Sequence, residues 1–316
     1  MKIGYFLSCE EYAPTELLAQ ARRAEEAGFE GLWISDHYHP WIDEQGESAF
    51  VWSMIGALSQ VTERIPVTTG VTCPTMRIHP AVIAQAAATS QVLLGGRFRF
   101  GVGSGEALNE HILGTHWPEA DVRLEMLEEA IEVIRGLWEG GQYSHRGRHY
   151  TVENARIYTL PESPPPIYVS GFGPKSVDLA ARIGDGYVTT SPDDLIQRFR
   201  DNGGGDKVVQ AGTKVCYGPD RDERVKTMHR LWPNEAIPGE LAQVLPNPAH
   251  FEQAAENVTE EMIAESVPCG PDLDQHVEMI RQYADAGVDE LYLQQVGGLT
   301  DEFFDAYAKE ILPRFR

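Results

Sequence analysis

Short apolar runs alternate with amphipathic segments along nearly the whole chain, and this alternation constrains the fold most. Strands are predicted at residues 2–8, 32–34, 65–71, 97–102, 167–170, 186–190, 214–217 and 290–294. Helices are predicted at residues 14–27, 50–60, 80–94, 123–138, 174–183, 221–231, 272–286 and 301–312. Strands that alternate with helices are joined by right-handed parallel crossovers. Eight of them in 316 residues favour a closed (β/α)8 TIM barrel over an open doubly wound sheet.

Two segments interrupt the alternation. Residues 140–165 follow the fourth strand and are predicted to form a hairpin and a loop, because a run of prolines ends the segment. Residues 232–270 follow the seventh strand and carry several further prolines, which predicts a helical lid over one end of the barrel. Neither segment has the features of a separate domain, so residues 1–316 are expected to form a single domain.

The charge and hydropathy of the chain exclude two classes of partner. The formal net charge is -22, whereas binding to nucleic acid needs clustered Lys and Arg. No apolar run reaches the ~20 residues of a membrane span, and a predicted strand begins almost at the first residue, which leaves no room for a signal peptide. The sequence therefore predicts a cytoplasmic protein that acts on a small-molecule substrate, with neither nucleic acid nor membrane as a partner.

Polar residues follow the second and third predicted strands. Asp36 and His37 come directly after the second strand, and Cys73 comes directly after the third. Barrels of parallel strands keep their chemistry at these C-terminal strand ends. Gly70 interrupts an otherwise β-branched run in the third strand, and a glycine there marks either a bulge or the close approach of a ligand.

A glycine-rich segment, residues 101–105, follows the fourth strand. Its three glycines leave the backbone bare enough to contact a flat ring or a phosphate. Glu106 and Asn109 are three residues apart and would share one side of a short helical turn. Glu106 could act there as a general acid or base, although an exposed capping residue would have the same position in the sequence.

The fifth strand is followed by a candidate anion site at the start of a helix. Backbone amides at a helix N-terminus bind anions, and side-chain donors can add to them. An ordinary helix cap would account for the same pattern. The residues concerned are Ser170, Gly171, Phe172, Gly173, Lys175 and Ser176.

These motifs together resemble the luciferase-like flavin and deazaflavin oxidoreductases, and most of all the branch of coenzyme F420-dependent dehydrogenases related to glucose-6-phosphate dehydrogenase. The resemblance spans nearly the whole chain in order. It implies the same barrel, with coenzyme F420 at its C-terminal mouth and a hydride passing between a substrate carbon and the deazaflavin C5. The matching residues are 35–37, 40–41, 73–77, 79–82, 101–110, 117–118, 184–186 and 268–271.

The resemblance also assigns roles to individual residues. Asp36 would hydrogen-bond the ring, and His37 would take the proton of the substrate hydroxyl. Trp41 would shield and position the reacting centre, and Glu106 would supply a proton near the ring's N1 edge. The Gly70–Val71 bond matches the family's non-prolyl cis peptide, which bulges against the back face of the ring.

Other residues would complete the cofactor site by the same resemblance. The ring and ribityl chain would be lined by Cys73, Ser104, Gly105 and Asn109, and residues 171–176 would hold the tail phosphate. A homodimer is implied as well. The direction of the reaction stays open, because a hydride path is reversible.

The lid departs from the sugar-phosphate members of this branch. Those members bind the substrate phosphate through a Lys–His pair, a further Lys and an Arg. An ungapped comparison from Trp232 puts the pair on Ala242 and Gln243 and the Arg on Ser266. The loop after Thr190 has two Asp and no Lys, and an acidic loop repels a phosphate dianion. Thr190, Gln243 and Ser266 are therefore expected to face a neutral alcohol, an unphosphorylated sugar or a carbonyl compound.

Three alternatives remain open from the sequence. The same fold could use FMN as a reductase or monooxygenase, or bind the cofactor without catalysis, although the intact His37 and Glu106 argue against the second. A metal-dependent barrel hydrolase could use His37 and His39 as zinc ligands. Pro40, the glycine-rich strand ends and the lack of any C-x-x-C spacing argue against a metal, so no metal site is expected.

Overall fold

The computed structural model describes residues 1–237 and 239–315. In chain order its strands are Lys2–Leu7 (β1), Leu32–Ile34 (β2), Val67–Thr69 (β3), Phe98–Val102 (β4), Tyr143–Arg146 (β5), Thr151–Ala155 (β6), Ile167–Ser170 (β7), Gly186–Thr189 (β8), Val208–Val215 (β9) and Glu290–Gln295 (β10). Eight of them close a barrel in the order β1-β10-β9-β8-β7-β4-β3-β2, and each neighbouring pair is parallel. The predicted (β/α)8 barrel is confirmed.

Helices connect the strands, most of them on the outside of the barrel and some in the lid. They are Pro14–Ala27 (α1), Val51–Val61 (α2), Pro80–Leu93 (α3), Ala107–Glu110 (α4), Ala120–Trp138 (α5), Pro174–Ile183 (α6), Leu195–Phe199 (α7), Arg221–Leu231 (α8), Leu241–Val244 (α9), Pro248–Ala254 (α10), Glu260–Ser266 (α11), Leu273–Asp285 (α12) and Thr300–Ala306 (α13). α7 was not predicted, and π-helical turns extend α7 and α13. None of the helices described in residues 1–237 and 239–315 is long and apolar enough to span a membrane.

Helix α5 shows how the apolar pattern builds the outer layer. Its buried residues recur every three or four positions, so that one face packs against α3 and the barrel while the other face stays in water. Removing each buried Leu, Ile or Val side chain of this face from water contributes roughly 1.5–3 kcal/mol before entropy is counted. The buried apolar residues are Leu127, Ala130, Ile131, Val133, Ile134 and Leu137.

The predicted hairpin is formed by the antiparallel pair β5 and β6. It is tied to the barrel by Tyr150, whose hydroxyl donates to the carbonyl of Thr75 at 2.8 Å. Glu129 of α5 accepts hydrogen bonds from the backbone N–H groups of His149 and Tyr150. The hairpin therefore supports the loop that follows β3.

The predicted lid contains the short helices α9, α10 and α11. Phe251 of α10 packs edge-on against Trp41, with 5.1 Å between the ring centroids. At the end of the lid Cys269 forms a β-bridge with Cys216, which lies just beyond β9. The lid thus covers the C-terminal end of the barrel, where the strand-end residues lie.

Strand β9 differs from its predicted bounds, residues 214–217. The strand begins six residues earlier, at Val208. The sequence prediction missed this first part because Gln210 and Gly212, which face the barrel interior, interrupt the apolar pattern. Gln210 Oε1 accepts a hydrogen bond from Trp33 Nε1 at 3.0 Å. A Cβ at position 212 would lie 2.3 Å from the ring of Trp33, so only glycine fits. As a result Lys214 lies near the C-terminal end of its strand rather than at the start.

A network of polar side chains fills the N-terminal half of the barrel, and we call it the lower layer. Glu290 Oε2 accepts from Arg99, from Gln210 Nε2 at 2.7 Å and from Tyr292 at 3.0 Å. Its Oε1 pairs with the Lys2 ammonium at 3.0 Å. Burial alone would raise the pKa of Glu290, but these partners lower it below its ordinary value. The lower layer consists of Trp33, Arg99, Gln210, Glu290 and Tyr292.

Candidate active site

His37 lies in the loop after β2, with its imidazole at the C-terminal mouth of the barrel. Its Nδ1 is 3.1 Å from the carbonyl oxygen of His39, an arrangement in which Nδ1–H is the donor. That tautomer leaves a lone pair on Nε2. The ring of Trp41 lies against the imidazole, with centroids 4.9 Å apart, and the His37 side chain is 11% exposed.

Glu10, which the sequence analysis did not identify, faces His37. Its Oε1 lies 3.5 Å from His37 Nε2. Its Oε2 accepts hydrogen bonds from the hydroxyls of Ser8 at 2.8 Å and Ser35 at 2.7 Å, which fix the orientation of the carboxylate. Glu10 follows the end of β1, so the strand-end argument that selected Asp36 and His37 would also have selected Glu10 if it had been applied to the first strand.

Asn109 joins the short helix α4 to the loop that carries His37. Its Oδ1 accepts from the backbone N–H groups of Tyr38 at 2.9 Å and His39 at 3.2 Å. These two donors fix the orientation of the amide, and they leave Nδ2 without a partner although Asn109 is only 1% exposed. Glu106 is the residue before α4 and is partly exposed. The hydrogen bonds of Asn109 therefore hold α4, and Glu106 before it, to the loop that carries His37.

Asp36 and Glu110 share one guanidinium beneath the mouth. Asp36 accepts from Arg77 Nη2 at 2.7 Å and from the Thr72 hydroxyl at 2.8 Å. Glu110 accepts from the backbone N–H of Arg77 at 2.8 Å and lies 3.5 Å from Arg77 Nε. Burial raises the pKa of Glu110 to about 7, since one cation does not offset the desolvation of two carboxylates. Both carboxylate oxygens of Asp36 are thus engaged within the protein.

The bond Gly70–Val71 is cis, as predicted from the resemblance. A Cβ at position 70 would lie 2.9 Å from the indole of Trp33, so the packing of that ring also requires glycine. Cys73 is buried, and its Sγ contacts the Thr75 hydroxyl at 3.0 Å. Gly105 has a φ of 80°, and a Cβ there would approach Cys73 Sγ to 2.6 Å. The loops after β3 and β4 are therefore in direct contact.

The predicted anion site lies at the start of α6. Ser176 Oγ accepts from the Gly173 N–H at 3.1 Å and thereby closes the helix cap. Ser170 is buried at the end of β7, and the Gly171 carbonyl accepts from Tyr187 at 2.7 Å. Phe172 is exposed, and Ser104 is partly exposed.

Lys175, which was predicted to bind the anion, is paired with a carboxylate instead. Its side chain is 75% exposed and pairs with Asp121 at 2.7 Å. An exposed pair of this kind contributes at most about 1 kcal/mol, so Lys175 can change partners at low cost.

The three candidate substrate residues have different surroundings. The Thr190 carbonyl accepts from the Tyr283 hydroxyl at 2.8 Å. Gln243 of the lid accepts from Arg123 Nη2 at 3.1 Å. Ser266 is exposed and donates to the carbonyl of Met262 in its own helix.

Arg123 and Lys214 are two cations that the sequence analysis also missed. Arg123 is 5% exposed, its Nε has no partner, and its guanidinium lies 4.5 Å from the ring of Trp117. Burial lowers the pKa of Arg123, and the charge on Glu106 partly offsets that effect. Lys214 pairs with Glu235 of the lid. No cluster of three or more potential metal-binding side chains occurs in residues 1–237 and 239–315.

Fold and mouth together define a (β/α)8-barrel enzyme with an imidazole and several carboxylates at its C-terminal strand ends. The chain belongs to the luciferase-like monooxygenase family, whose sequence model matches residues 1–290.

Two curated relatives and one solved structure match the chain over its full length. The chain is 38% identical to the F420-dependent glucose-6-phosphate dehydrogenase of Microbacterium testaceum, over 100% of this chain and 98% of that one. It is 36% identical to the protein of the same name from Nakamurella multipartita, over 100% and 97%. An F420-dependent secondary alcohol dehydrogenase, solved in complex with an F420-acetone adduct, superposes with a TM-score of 0.93 and 32% identity, over 100% and 99% of the two chains.

Proposed function

We propose that this protein is a coenzyme F420-dependent oxidoreductase that transfers a hydride between the hydroxyl-bearing carbon of a neutral substrate and the deazaflavin C5. The observation that carries the proposal is the position of His37, whose Nε2 faces the Glu10 carboxylate at the mouth of the barrel. The relatives whose names include F420 are similar over the full length of this chain, and this likeness supports the choice of cofactor.

The residues of the mouth fit a planar, hydrogen-bonding cofactor. The buried Asn109 Nδ2 lacks an acceptor, and a ring or ribityl oxygen would provide one. Gly103 allows the loop after β4 to pass Val71 closely, since a Cβ there would lie 2.9 Å from Val71 Cγ2. When bound, F420 supplies a ring carbon that accepts or releases hydride. The residues that would hold it are Asp36, Gly70, Val71, Cys73, Ser104, Gly105, Asn109, Ser170, Gly171, Phe172, Gly173, Lys175 and Ser176.

His37 is the base in this proposal. Because its Nδ1–H is directed to the His39 carbonyl, Nε2 is free to take the proton of a substrate hydroxyl. Glu10 then lies 3.5 Å from the positive charge that forms on the ring. Trp41 covers one side of the imidazole and excludes water from it.

Glu106 is the second proton-handling group. It precedes α4, which Asn109 ties to the loop of His37, so the two groups are held on adjoining parts of the mouth. Partial exposure allows Glu106 to exchange its proton with solvent between turnovers. In alcohol oxidation by hydride transfer, a base (His37) takes the hydroxyl proton and an acid (Glu106) protonates the reduced ring.

The substrate is a neutral alcohol, an unphosphorylated sugar or a carbonyl compound rather than glucose 6-phosphate. The loop after Thr190 carries Asp193 and Asp194, and the nearby cation Lys214 is already paired with Glu235 at 2.7 Å. A phosphate dianion would meet a net negative wall there.

A titration and a substrate screen test the proposal. The purified protein is titrated with F420 and with FMN in parallel, and then mixed with oxidised F420 and a panel of alcohols and sugars. We expect binding of F420 in preference to FMN, and loss of the deazaflavin's visible absorbance with at least one neutral alcohol. Preference for FMN would contradict the choice of cofactor, and efficient turnover of glucose 6-phosphate would contradict the substrate class.

A homodimer in the cytoplasm completes the proposal. All four cysteines are free and buried, as suits a reducing compartment. Helix α3 exposes three apolar side chains that a second copy could cover. Sedimentation of the purified protein would separate a dimer from a monomer. The three side chains are Val82, Val92 and Leu93.

A further inference from the structure

The wall of the mouth formed by β9 and β10 carries two polar side chains side by side. Lys214 and Gln294 are register partners near the C-terminal ends of these strands. Lys214 lies four residues after Gln210 on β9, and Gln294 lies two residues after Tyr292 on β10. Successive residues of a strand alternate between its two faces, so residues an even number apart share a face. Their side chains therefore belong to the inner face of the barrel, one layer nearer the mouth.

Lys214 is a largely enclosed cation. Its side chain is 13% exposed, and its Nζ lies 2.7 Å from Glu235 Oε1 and 4.2 Å from the ring centroid of Trp232. An ammonium group has three N–H donors. The carboxylate takes one and the aromatic face attracts the cation, so one donor is left for a further acceptor.

Gln294 presents an acceptor with no donor. Its Nε2 donates to Glu11 Oε2 at 3.3 Å, which fixes the orientation of the amide. Its Oε1 then has no hydrogen-bond partner, although the residue is 0% exposed. Leaving a buried acceptor unpaired costs about 1–3 kcal/mol, so the position favours a ligand that can donate.

A chain of contacts connects this wall to Glu10, which faces His37. Glu11 accepts from Trp232 Nε1 at 2.7 Å and from Gln294, and it directly follows Glu10.

We propose that Lys214 and Gln294 form a subsite that binds a second, non-reacting hydroxyl of the substrate. A hydroxyl group both accepts and donates, so it can accept from Lys214 Nζ while donating to Gln294 Oε1. Glu235 neutralises the lysine, so the subsite selects an uncharged oxygen over a phosphate. This inference rests on the proposed function and narrows its substrate class to diols, polyols and sugars.

The test compares alcohols that share one carbon skeleton. Isopropanol, propylene glycol and glycerol differ only in their extra hydroxyls, and each is offered with oxidised F420 to the wild-type protein. We expect kcat/KM for propylene glycol or glycerol to exceed that for isopropanol by about tenfold or more, because a site built to hydrogen-bond a hydroxyl rejects the analogue that lacks it. Equal or better use of isopropanol would overturn the subsite.

Substitutions of Lys214 and Gln294 test whether these two residues cause the preference for the extra hydroxyl. Lys214→Met and Gln294→Leu should each lower the glycerol-to-isopropanol ratio by about tenfold. The matched controls are Lys226→Met and Gln60→Leu, which change exposed residues of α8 and α2 and should keep the wild-type ratio. An unchanged ratio in both subsite variants would contradict the proposal. If neither subsite variant folds, the wild-type comparison of the three alcohols still decides it.

The subsite and the proposed function can fail separately. If the wild type reduces F420 with none of these alcohols, the proposed dehydrogenase activity does not extend to them. Saturation-transfer NMR on the wild-type protein then measures binding alone. Stronger transfer to glycerol than to isopropanol, lost in Lys214→Met, would support the subsite, and equal transfer would reject it.

Discussion

The lower layer and the mouth are both polar and both lie inside the same barrel, yet they differ in how completely they are hydrogen-bonded. In the lower layer Glu290 has four partners, and Gln210 uses both ends of its amide; the one buried hydroxyl without a partner beside them belongs to Thr68, which lies next to Trp33 and Arg99 among the residues the structure describes. At the mouth, Asn109 Nδ2 and Gln294 Oε1 are buried without partners. The two regions are separated by only a few residues along each strand.

The difference indicates what each region is for. Buried groups that are paired, as Glu290 and Gln210 are, contribute specificity to the fold and leave nothing for a ligand to bind. Unpaired buried groups cost stability, and at the mouth a ligand can supply the missing partner. We therefore expect substitutions in the lower layer to change stability and substitutions at the mouth to change turnover.

His37→Asn gives the largest expected effect and tests the mouth. Asparagine removes the base while keeping a small polar side chain, so kcat/KM for alcohol oxidation should fall by about 10²–10⁴. The melting temperature should stay close to that of the wild type. Stopped-flow absorbance of F420 and a thermal melt measure the two quantities.

His116→Asn is the matched control for this experiment, because His116 is exposed in the loop before α5. It should leave both quantities unchanged. A His37→Asn protein that retained more than a third of wild-type turnover would rule out the imidazole as the base.

Glu290→Gln tests the lower layer. The substitution leaves Arg99, whose side chain is 21% exposed, without its buried carboxylate partner, and breaking a buried ion pair costs about 3 kcal/mol. Chemical denaturation should show this loss, while kcat/KM changes by less than about twofold. Glu30→Gln, at an exposed position, should change the free energy of unfolding by less than about 0.5 kcal/mol. A large loss of turnover in Glu290→Gln without loss of stability would remove the distinction between the two regions.

The barrel itself could be predicted from the sequence because periodicity is a local property. Seven of the eight barrel strands lie at the predicted places, and α1 begins and ends as predicted, at Pro14 and before Gly28. The exception, β9, depends on contacts across the barrel that no local pattern records. Gln210 looks like a surface residue in the sequence, and only Trp33, Glu290 and Tyr292 make it an interior one.

The site was predictable only where its residues share a motif. Asp36, His37 and Glu106 stand in recognisable segments, whereas Glu10 has no motif around it and is identified only by its position after β1 and its distance to His37. The misplaced start of β9 put Lys214 at the wrong end of its strand, far from the mouth. Because the start of β9 was predicted six residues too late, Lys214 was not recognised as part of the β9–β10 wall.

Glu110→Gln gives the smallest effect, and it shows how the network beneath the mouth depends on pH. Burial raises the pKa of Glu110 to about 7 from an ordinary value of 4.5. Between these values the folded protein holds a proton that the unfolded chain has released, so stability from this group is greatest at low pH and falls as the pH rises to about 7.

Glutamine cannot titrate, and its amide oxygen can still accept from the Arg77 N–H. From about pH 5 to about pH 7 the wild type should therefore lose about 2 kcal/mol more of its free energy of unfolding than Glu110→Gln does. Urea denaturation at several pH values measures the two slopes. Parallel slopes would mean that Glu110 ionises in the folded protein as it does in water. Arg77 would then offset the burial of both Asp36 and Glu110, just as the partners of Glu290 offset the burial of that carboxylate in the lower layer.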